Sequence, residues 1–267
     1  MNRILKKSLN IIFGTTITFL TFSFINLNKV EAVNIDKFAG GKGTSDDPYI
    51  IDDAAGLIEL GANWCGSRYR NTYFKIDTGS KILDLERRRI IPICSFLDGT
   101  DEASVYENAF YGHFDGNNTE ITNGEINSNG LSAGLFGATN GAKIANVGIG
   151  ENISFRVNGK VPGSEIAPVG GIVGSAWNTE ITNVWNKGYL YTEHSSAGGI
   201  AGRLLSGSSI TNAYNAGSVS AKVDADNKSH VGGIVGYMSN STIQNVANYS
   251  SNLSGTGDSE SMGLLVG

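Results

Sequence analysis

Histidine, cysteine and proline are scarce in this chain: three, two and four residues in 267. His113, His194 and His230 include no pair at metal-ligand spacing and no His-Glu-x-x-His occurs, so a zinc hydrolase has no visible ligand set. Cys65 and Cys94 are too few for a disulfide-dense scaffold. They either bond to each other in an oxidising compartment or lie apart as small buried hydrophobes. Gly-x-Ser-x-Gly is absent and no glycine block runs into a lysine, which removes the signatures of a serine nucleophile and of a phosphate cradle. Charge is thin, 17% of residues, and its balance is acidic at −5, which argues against nucleic acid or an anionic membrane as partner. Nothing asks for a cofactor or a metal. Asp46, Asp47, Asp52 and Asp53 offer oxygen donors, but their spacing matches no calcium loop, and turn and capping roles account for them.

Glycine, by contrast, is abundant at 36 residues, and much of it is organised. A glycine-aliphatic-glycine block recurs as Gly134-Leu135-Phe136-Gly137, Gly170-Gly171-Ile172-Val173-Gly174, Gly198-Gly199-Ile200-Ala201-Gly202, Gly232-Gly233-Ile234-Val235-Gly236 and Gly263-Leu264-Leu265-Val266-Gly267. The closing glycines lie 37, 28, 34 and 31 residues apart, and each block but the last is followed, after seven or eight residues, by Ile-x-Asn. Fixed internal phase with insertions of variable length is the mark of a solenoid, in which each unit buries its apolar face against its neighbours. The expected fold is therefore all-β, a stack of short parallel strands.

In such a stack, equivalent positions of successive coils sit about 4.8 Å apart, so like residues pile on like. Ile144, Ile181, Ile210 and Ile243 are expected to form an inward aliphatic ladder, with Val147, Val184, Ala213 and Val246 three positions later. Asn146, Asn183, Asn212 and Asn245 are expected to form an amide ladder on left-handed backbone, with Asn186, Asn215 and Asn248 repeating it at the following corner. Trp185 and Tyr214 share a phase one position after the core sites, where alternation turns them outward; Ala247 continues their column and Tyr189 and Tyr191 lie nearby. Exposed aromatics of this kind bind sugar rings or anchor a protein partner, so these four are the candidate ligand-binding residues.

The chain divides into four parts. Residues 1–32 read as a signal peptide: Arg3, Lys6 and Lys7 precede an apolar stretch from Leu9 to Leu27, and Val30-Glu31-Ala32 offers small residues for cleavage. Its removal takes away four basic residues and one acid, moving the net charge from −5 to −8. Residues 33–70 hold an entry strand and a short capping helix, with Asp52 or Asp53 as N-cap, Leu57, Ile58 and Leu60 on one side and Gly61 as a stop. Such a helix would cover the open end of a strand stack. Residues 71–126 read as irregular first rungs carrying an insertion, and residues 127–267 as the regular repeats.

The phrases Gly-x-Gly-Thr-x-x-Asp-Pro-Tyr at Gly41 to Tyr49 and Phe-x-Gly-x-Phe-Asp-Gly-Asn at Phe110 to Asn117, together with the Gly-Leu-Phe-Gly to Gly-Ile-Val-Gly blocks, resemble the GLUG-motif repeat proteins of bacterial surfaces. The resemblance covers most of residues 38 to 267. It implies a right-handed parallel β-helix in secreted or wall-attached bacterial proteins, among them adhesins and the non-catalytic regions of some immunoglobulin A1 protease-type metallopeptidases. No sorting motif is visible, and the last block stops on Gly267 where other copies run on into Ile-x-Asn.

Solenoids also include polysaccharide-cleaving enzymes, which need two carboxyl groups about 5 to 9.5 Å apart. No acidic pair recurs at a fixed repeat phase; Asp84, Asp98, Asp101 and Asp115 lie in the irregular region and read as turn acids, and Arg87 to Arg89 as a solvated edge. No catalytic residue is assigned. The expectation is an exported, extracellular, non-enzymatic adhesion or interaction module, no longer membrane-bound after signal cleavage, whose partner is a host or matrix protein or a glycan. A carbohydrate-active solenoid enzyme and the substrate-recognition fragment of a larger surface metallopeptidase are the alternatives.

Overall fold

The structure, a computed structural model, describes residues 37–95, 107–128, 132–157, 167–193, 195–222, 229–256 and 260–267. The expected signal peptide of residues 1–32, the acids Asp98 and Asp101 and His194 lie outside them.

The N-terminal region contains β1 (Tyr49–Ile51), helix α1 (Ala54–Asn63), β2 (Tyr73–Ile76), β3 (Ile82–Asp84), β4 (Arg89–Ile90), β5 (His113–Thr122) and β6 (Gly124–Ser128). Coils of near-constant design follow. The first supplies β7 (Phe136–Asn140), β8 (Lys143–Ile149) and β9 (Ile153–Val157). The second supplies β10 (Val169–Gly170), β11 (Val173–Trp177), β12 (Glu180–Asn186) and β13 (Tyr189–Thr192). The third supplies β14 (Ala197–Gly198), β15 (Ala201–Leu205), β16 (Ser209–Asn215) and β17 (Ser218–Lys222). The fourth supplies β18 (Ser229–Gly232), β19 (Val235–Ser239), β20 (Thr242–Asn248) and β21 (Leu253–Thr256), and β22 (Glu260–Gly263) begins another.

Stacking the coils gives four sheets. Sheet A runs β1-β2-β5-β8-β12-β16-β20, with β3 also on β5; sheet B runs β4-β6-β9-β13-β17-β21; sheet C is β7-β11-β15-β19; sheet D is β10-β14-β18-β22. Every ladder between these strands is parallel. The fold is a β-solenoid of about four regular turns, with one α-helix, α1, among the described residues.

Register follows the repeat. Ile144, Ile181, Ile210 and Ile243 are consecutive partners, as are Val147, Val184, Ala213 and Val246. Ile144, Ile181 and Ile210 are at most 1% exposed, and each such burial stabilises the fold by about 1.5–3 kcal/mol. Between these core rows each strand turns sharply at an asparagine. Asn146, Asn183, Asn212 and Asn245 have φ between 52° and 58°, in the left-handed region. Their amides form a continuous chain: Asn245 Nδ2 donates to Asn212 Oδ1 (3.1 Å), Asn212 to Asn183 (3.1 Å), Asn183 to Asn146 (3.0 Å), and Asn146 to the carboxylate of Asp115 (2.9 Å).

The second asparagine set differs from the sequence expectation. Asn186, Asn215 and Asn248 end extended strands rather than occupying left-handed backbone, and Asn186 and Asn215 are completely buried. Burial of an amide demands hydrogen bonds. Asn186 Nδ2 donates to Asn215 Oδ1 (2.8 Å) and Asn215 Nδ2 to Asn248 Oδ1 (3.1 Å), while the Oδ1 atoms of Asn186 and Asn215 accept from Gly188 N (3.0 Å) and Gly217 N (3.1 Å) across the corner into sheet B.

The paired glycines are explained by these buried amides. A methyl group on Gly171, Gly199 or Gly233 would sit 2.8, 2.3 or 2.4 Å from Cγ of Asn186, Asn215 or Asn248. The preceding glycine folds sheet D against sheet C: a methyl on Gly170 or Gly198 would lie 2.2 or 2.1 Å from the carbonyl oxygen of Val173 or Ala201. Where the register partner of Asn186 is aliphatic, at Ile149, the glycine block is one glycine shorter, Gly134-Leu135-Phe136-Gly137.

At the N-terminal end, Asp53 caps α1 by accepting from Gly56 N (2.9 Å). Leu57 and Leu60 enter the core, but Ile58 is 37% exposed and Gly61 does not stop the helix, which runs to Asn63. The expected apolar side is therefore narrower than read, because Ile58 lies 100° round from Leu57. The nearly fully buried Glu59 is held by Asn63 Nδ2 (2.7 Å) and Lys37 Nζ (3.0 Å). The free edge of β1 is covered by an antiparallel bridge, Gly40 to Ile50. Inside, Phe38, Tyr49, Trp64 and Phe74 form one ring cluster, and Phe74 continues through Phe110 to Phe136. Cys65 and Cys94 are joined in a disulfide with a Cα–Cα distance of 5.5 Å.

Candidate functional site

Beyond the asparagine bend, the outward positions of sheet A form one column across five strands: Glu120, Gly148, Trp185, Tyr214 and Ala247 are consecutive register partners. Gly148 determines how the column is filled. A methyl there would fall 1.8 Å from Cε2 of Trp185, so the indole occupies the space a side chain would take and reaches the strand beyond. Its Nε1 donates to Glu120 Oε2 (2.9 Å), and Lys187 Nζ donates to the same oxygen (2.6 Å). The rings of Trp185 and Tyr214 are 6.4 Å apart and within 10° of parallel; Tyr249, 72% exposed, meets Tyr214 edge-on at 6.2 Å. Trp185 and Tyr214 are themselves half-buried.

Partial burial pushes the Glu120 carboxyl up, but the hydrogen bonds from Lys187 and Trp185 outweigh it and hold the group below the ordinary carboxylate range. The same bond raises Lys187 against its own desolvation. The column therefore carries a neutralised ion pair at one end and open aromatic surface at the other.

Tyr189 and Tyr191 lie on sheet B, across the corner where Lys187 stands, so the four predicted aromatics fall into two patches rather than one. Burial raises the Tyr191 hydroxyl, which donates to Glu193 Oε1 (3.1 Å), and the guanidinium of Arg156 lies 5.9 Å from its ring centroid. Tyr189, 43% exposed, borders a groove of about 380 Å³ together with Arg87, Asn123, Glu125, Glu151 and Ser154. Glu120, Gly148, Lys187 and Tyr249 were not read from the sequence. Gly148 was within reach, since it occupies the Trp185 phase of the preceding repeat; Glu120 comes from an irregular strand 65 residues away.

The early acids have structural partners. Asp84 accepts from Glu86 N (2.6 Å) and Asn123 Nδ2 (2.8 Å), and Asp115 from Asn117 N (2.8 Å) and Asn146 Nδ2 (2.9 Å). Arg88 and Arg89 pair with Glu86 and Glu125 at 2.6 and 3.0 Å. Among the described residues, no three His, Cys, Asp or Glu side chains converge as a metal site, and no helix is long and apolar enough to cross a membrane.

Fold and surface together define a parallel β-solenoid bearing an outward aromatic column. No family model matches the chain, and no curated protein matches it in sequence. In structure it is similar to a Bacteroides ovatus protein, provisionally named an immunoglobulin A1 protease and solved at 1.30 Å resolution. The TM-score is 0.51 at 22% identity, over 86% of this chain and 74% of that one. At this identity the likeness establishes the fold alone.

Proposed function

We propose that this chain is an exported, non-catalytic adhesion module of the GLUG-repeat type, acting at a bacterial cell surface or in the surrounding matrix. The observation that carries the reading is the Trp185–Tyr214 column. Two near-parallel rings stand on the outer face of a rigid parallel sheet, one of them anchored by a hydrogen bond to a carboxylate that is itself tied to Lys187. Anchoring removes the freedom a loop tryptophan would lose on binding, so more of the contact energy appears as affinity. A sugar ring or an apolar protein side chain fits such a surface, and the partner is read as a host or matrix glycan or protein.

The test is a glycan and host-protein array probed with residues 33–267. Trp185→Ala combined with Tyr214→Ala is expected to weaken the captured partner by tenfold or more, with the folded state retained by circular dichroism. Undiminished capture by the double variant removes the column from the proposal.

A second reading, a carbohydrate-active solenoid enzyme, is favoured by one observation: Glu125 and Glu151 both line the groove beside Tyr189. A polysaccharide-cleavage screen decides it, activity lost in both Glu125→Gln and Glu151→Gln being the required result. The third reading, a recognition fragment of a larger metallopeptidase, rests on the name of the structural neighbour and on the GLUG resemblance; sequencing the surrounding reading frame tests it.

A further inference from the structure

On the other side of the asparagine ladder, nearer the N-terminal end of sheet A, lies a recess of about 470 Å³, within the range of small-ligand sites. Tyr73, Lys75, His113, Asp115 and Lys143 face it, with Ser45, Pro48 and Ala145 as walls. We propose that this recess binds the acidic group of an anionic saccharide, a uronate carboxylate or a sulfate ester. The site is separate from the aromatic column and does not depend on it.

The charges carry the argument. The Lys75 ammonium has neither an ion pair nor a hydrogen bond among the described residues. Lys143 pairs with Glu180 at 3.0 Å, but both are more than half exposed, and such a pair is weakly held. Asp115, register partner of Lys75, already accepts from Asn117 N and Asn146 Nδ2. Two ammonium groups thus face the recess against one carboxylate that has other partners, in a chain whose net charge is −5. A long polyanion is repelled by the molecule as a whole, whereas a short acidic sugar meets only the local field.

The ring geometry points to polar contacts. Tyr73 and His113 are register partners whose rings stack at 4.1 Å and 4°. One face of each ring is spent on the other, and the phenol hydroxyl and the imidazole nitrogens stand at the ring edges as polar groups for a ligand. Asn146 lines the same recess with one amide hydrogen and one lone pair beyond its ladder bonds, and Ser45, whose hydroxyl donates to Asp46 (3.2 Å), borders it with its acceptor side. Desolvation by burial lowers the His113 pKa and Lys143 lowers it further, against Glu180. A bound anion would reverse that bias.

The test uses the whole chain at low salt. Calorimetry compares a trigalacturonate, a sulfated disaccharide, their neutral counterparts and inorganic phosphate, on the natural sequence, Lys75→Gln and Lys143→Gln. The acidic saccharides are expected to bind at least about tenfold more tightly than the neutral ones, and either lysine substitution to cost about tenfold. The His113 imidazole resonance, which reports this recess, is expected to titrate at higher pH when the saccharide is bound, also in Trp185→Ala/Tyr214→Ala. Its surroundings, Tyr73, Lys75, Lys143, Asp115 and Glu180, are otherwise unchanged. Absence of binding, or binding that both lysine variants retain, overturns the proposal. Equal affinity for phosphate assigns the recess to simple anions and overturns the saccharide. Binding lost only in the aromatic variant moves it to the column, and overturns the recess while leaving the adhesion reading intact.

Discussion

The coils before residue 129 and those after it solve the same packing problem with different chemistry. The interior of the first region is filled with rings: Phe74, Phe110 and Phe114 are fully buried there, and Phe136 and Phe155 complete the series just beyond. After Phe155 the main core is Ile, Val, Leu and Ala, with glycine corners and amide ladders, while Trp177 is buried in a smaller cluster with Tyr111 and Leu205. A regular coil presents its neighbour with a copy of itself, so small side chains in register exclude water without individual fitting. Among the described residues the first coils have no copy behind them. They close the stack with large rings, a capped helix, an antiparallel edge and a covalent bond, each needing its own complementary shape. Repetition thus replaces side-chain volume by backbone proximity, and the proposed ligand surfaces sit on both kinds of coil.

The widest separation between the regions is expected on truncating a ring. Phe74→Ala should destabilise by about 3–5 kcal/mol, against about 0.5–1.5 kcal/mol for Ile181→Val in the regular core; chemical denaturation measures both. Next is the disulfide, which closes a 29-residue span. Cys65→Ser with Cys94→Ser should cost about 3–4 kcal/mol, with hydrogen exchange quickening first in the N-terminal coils. In the regular coils the sensitive element is backbone. Gly199→Ala should cost about 1–3 kcal/mol through its collision with Asn215, whereas Gly40→Ala, whose added methyl meets nothing within 4 Å, should stay within about 0.5 kcal/mol.

The smallest effect is electrostatic and differs in pH window. His113 and Glu120 both have folded pKa values below their unfolded ones, so each contributes stability that is complete above the unfolded value and is lost as pH falls toward the folded one. The His113 contribution begins to fall away near pH 6.5 and that of Glu120 near pH 4.3. His113→Gln should remove the first decline in unfolding temperature and Glu120→Gln the second. Loss of both declines in one variant would mean that the groups are coupled.

Spacing made the regular region legible. Ile144, Asn146 and their successors announce a phase, and phase alone assigns inward rows, left-handed bends and the outward position of Trp185. Of the N-terminal region the entry strand and the capped helix were legible from local signals, and the rungs after them only as irregular, because fitting Phe110 to Phe136 or Glu59 to Lys37 depends on shape and on contacts that no period encodes. For the site, the aromatic column followed from phase. Its Glu120 anchor did not, because the β5 register slips between Asp115 and Thr119 before reaching it. The pairing of double glycines with buried asparagines was present in the repeats but needed the corner geometry to be seen as one device.

The two amide chains of sheet A run in opposite senses: the exposed one donates toward the first coils and ends on Asp115, the buried one donates away from them. Aligned amide dipoles add along a row, as peptide units do along an α-helix, and each added unit would enlarge the field at the two ends. Here the rows oppose each other, so lengthening the stack by further coils lets the dipoles of one row offset those of the other instead of building a growing macrodipole.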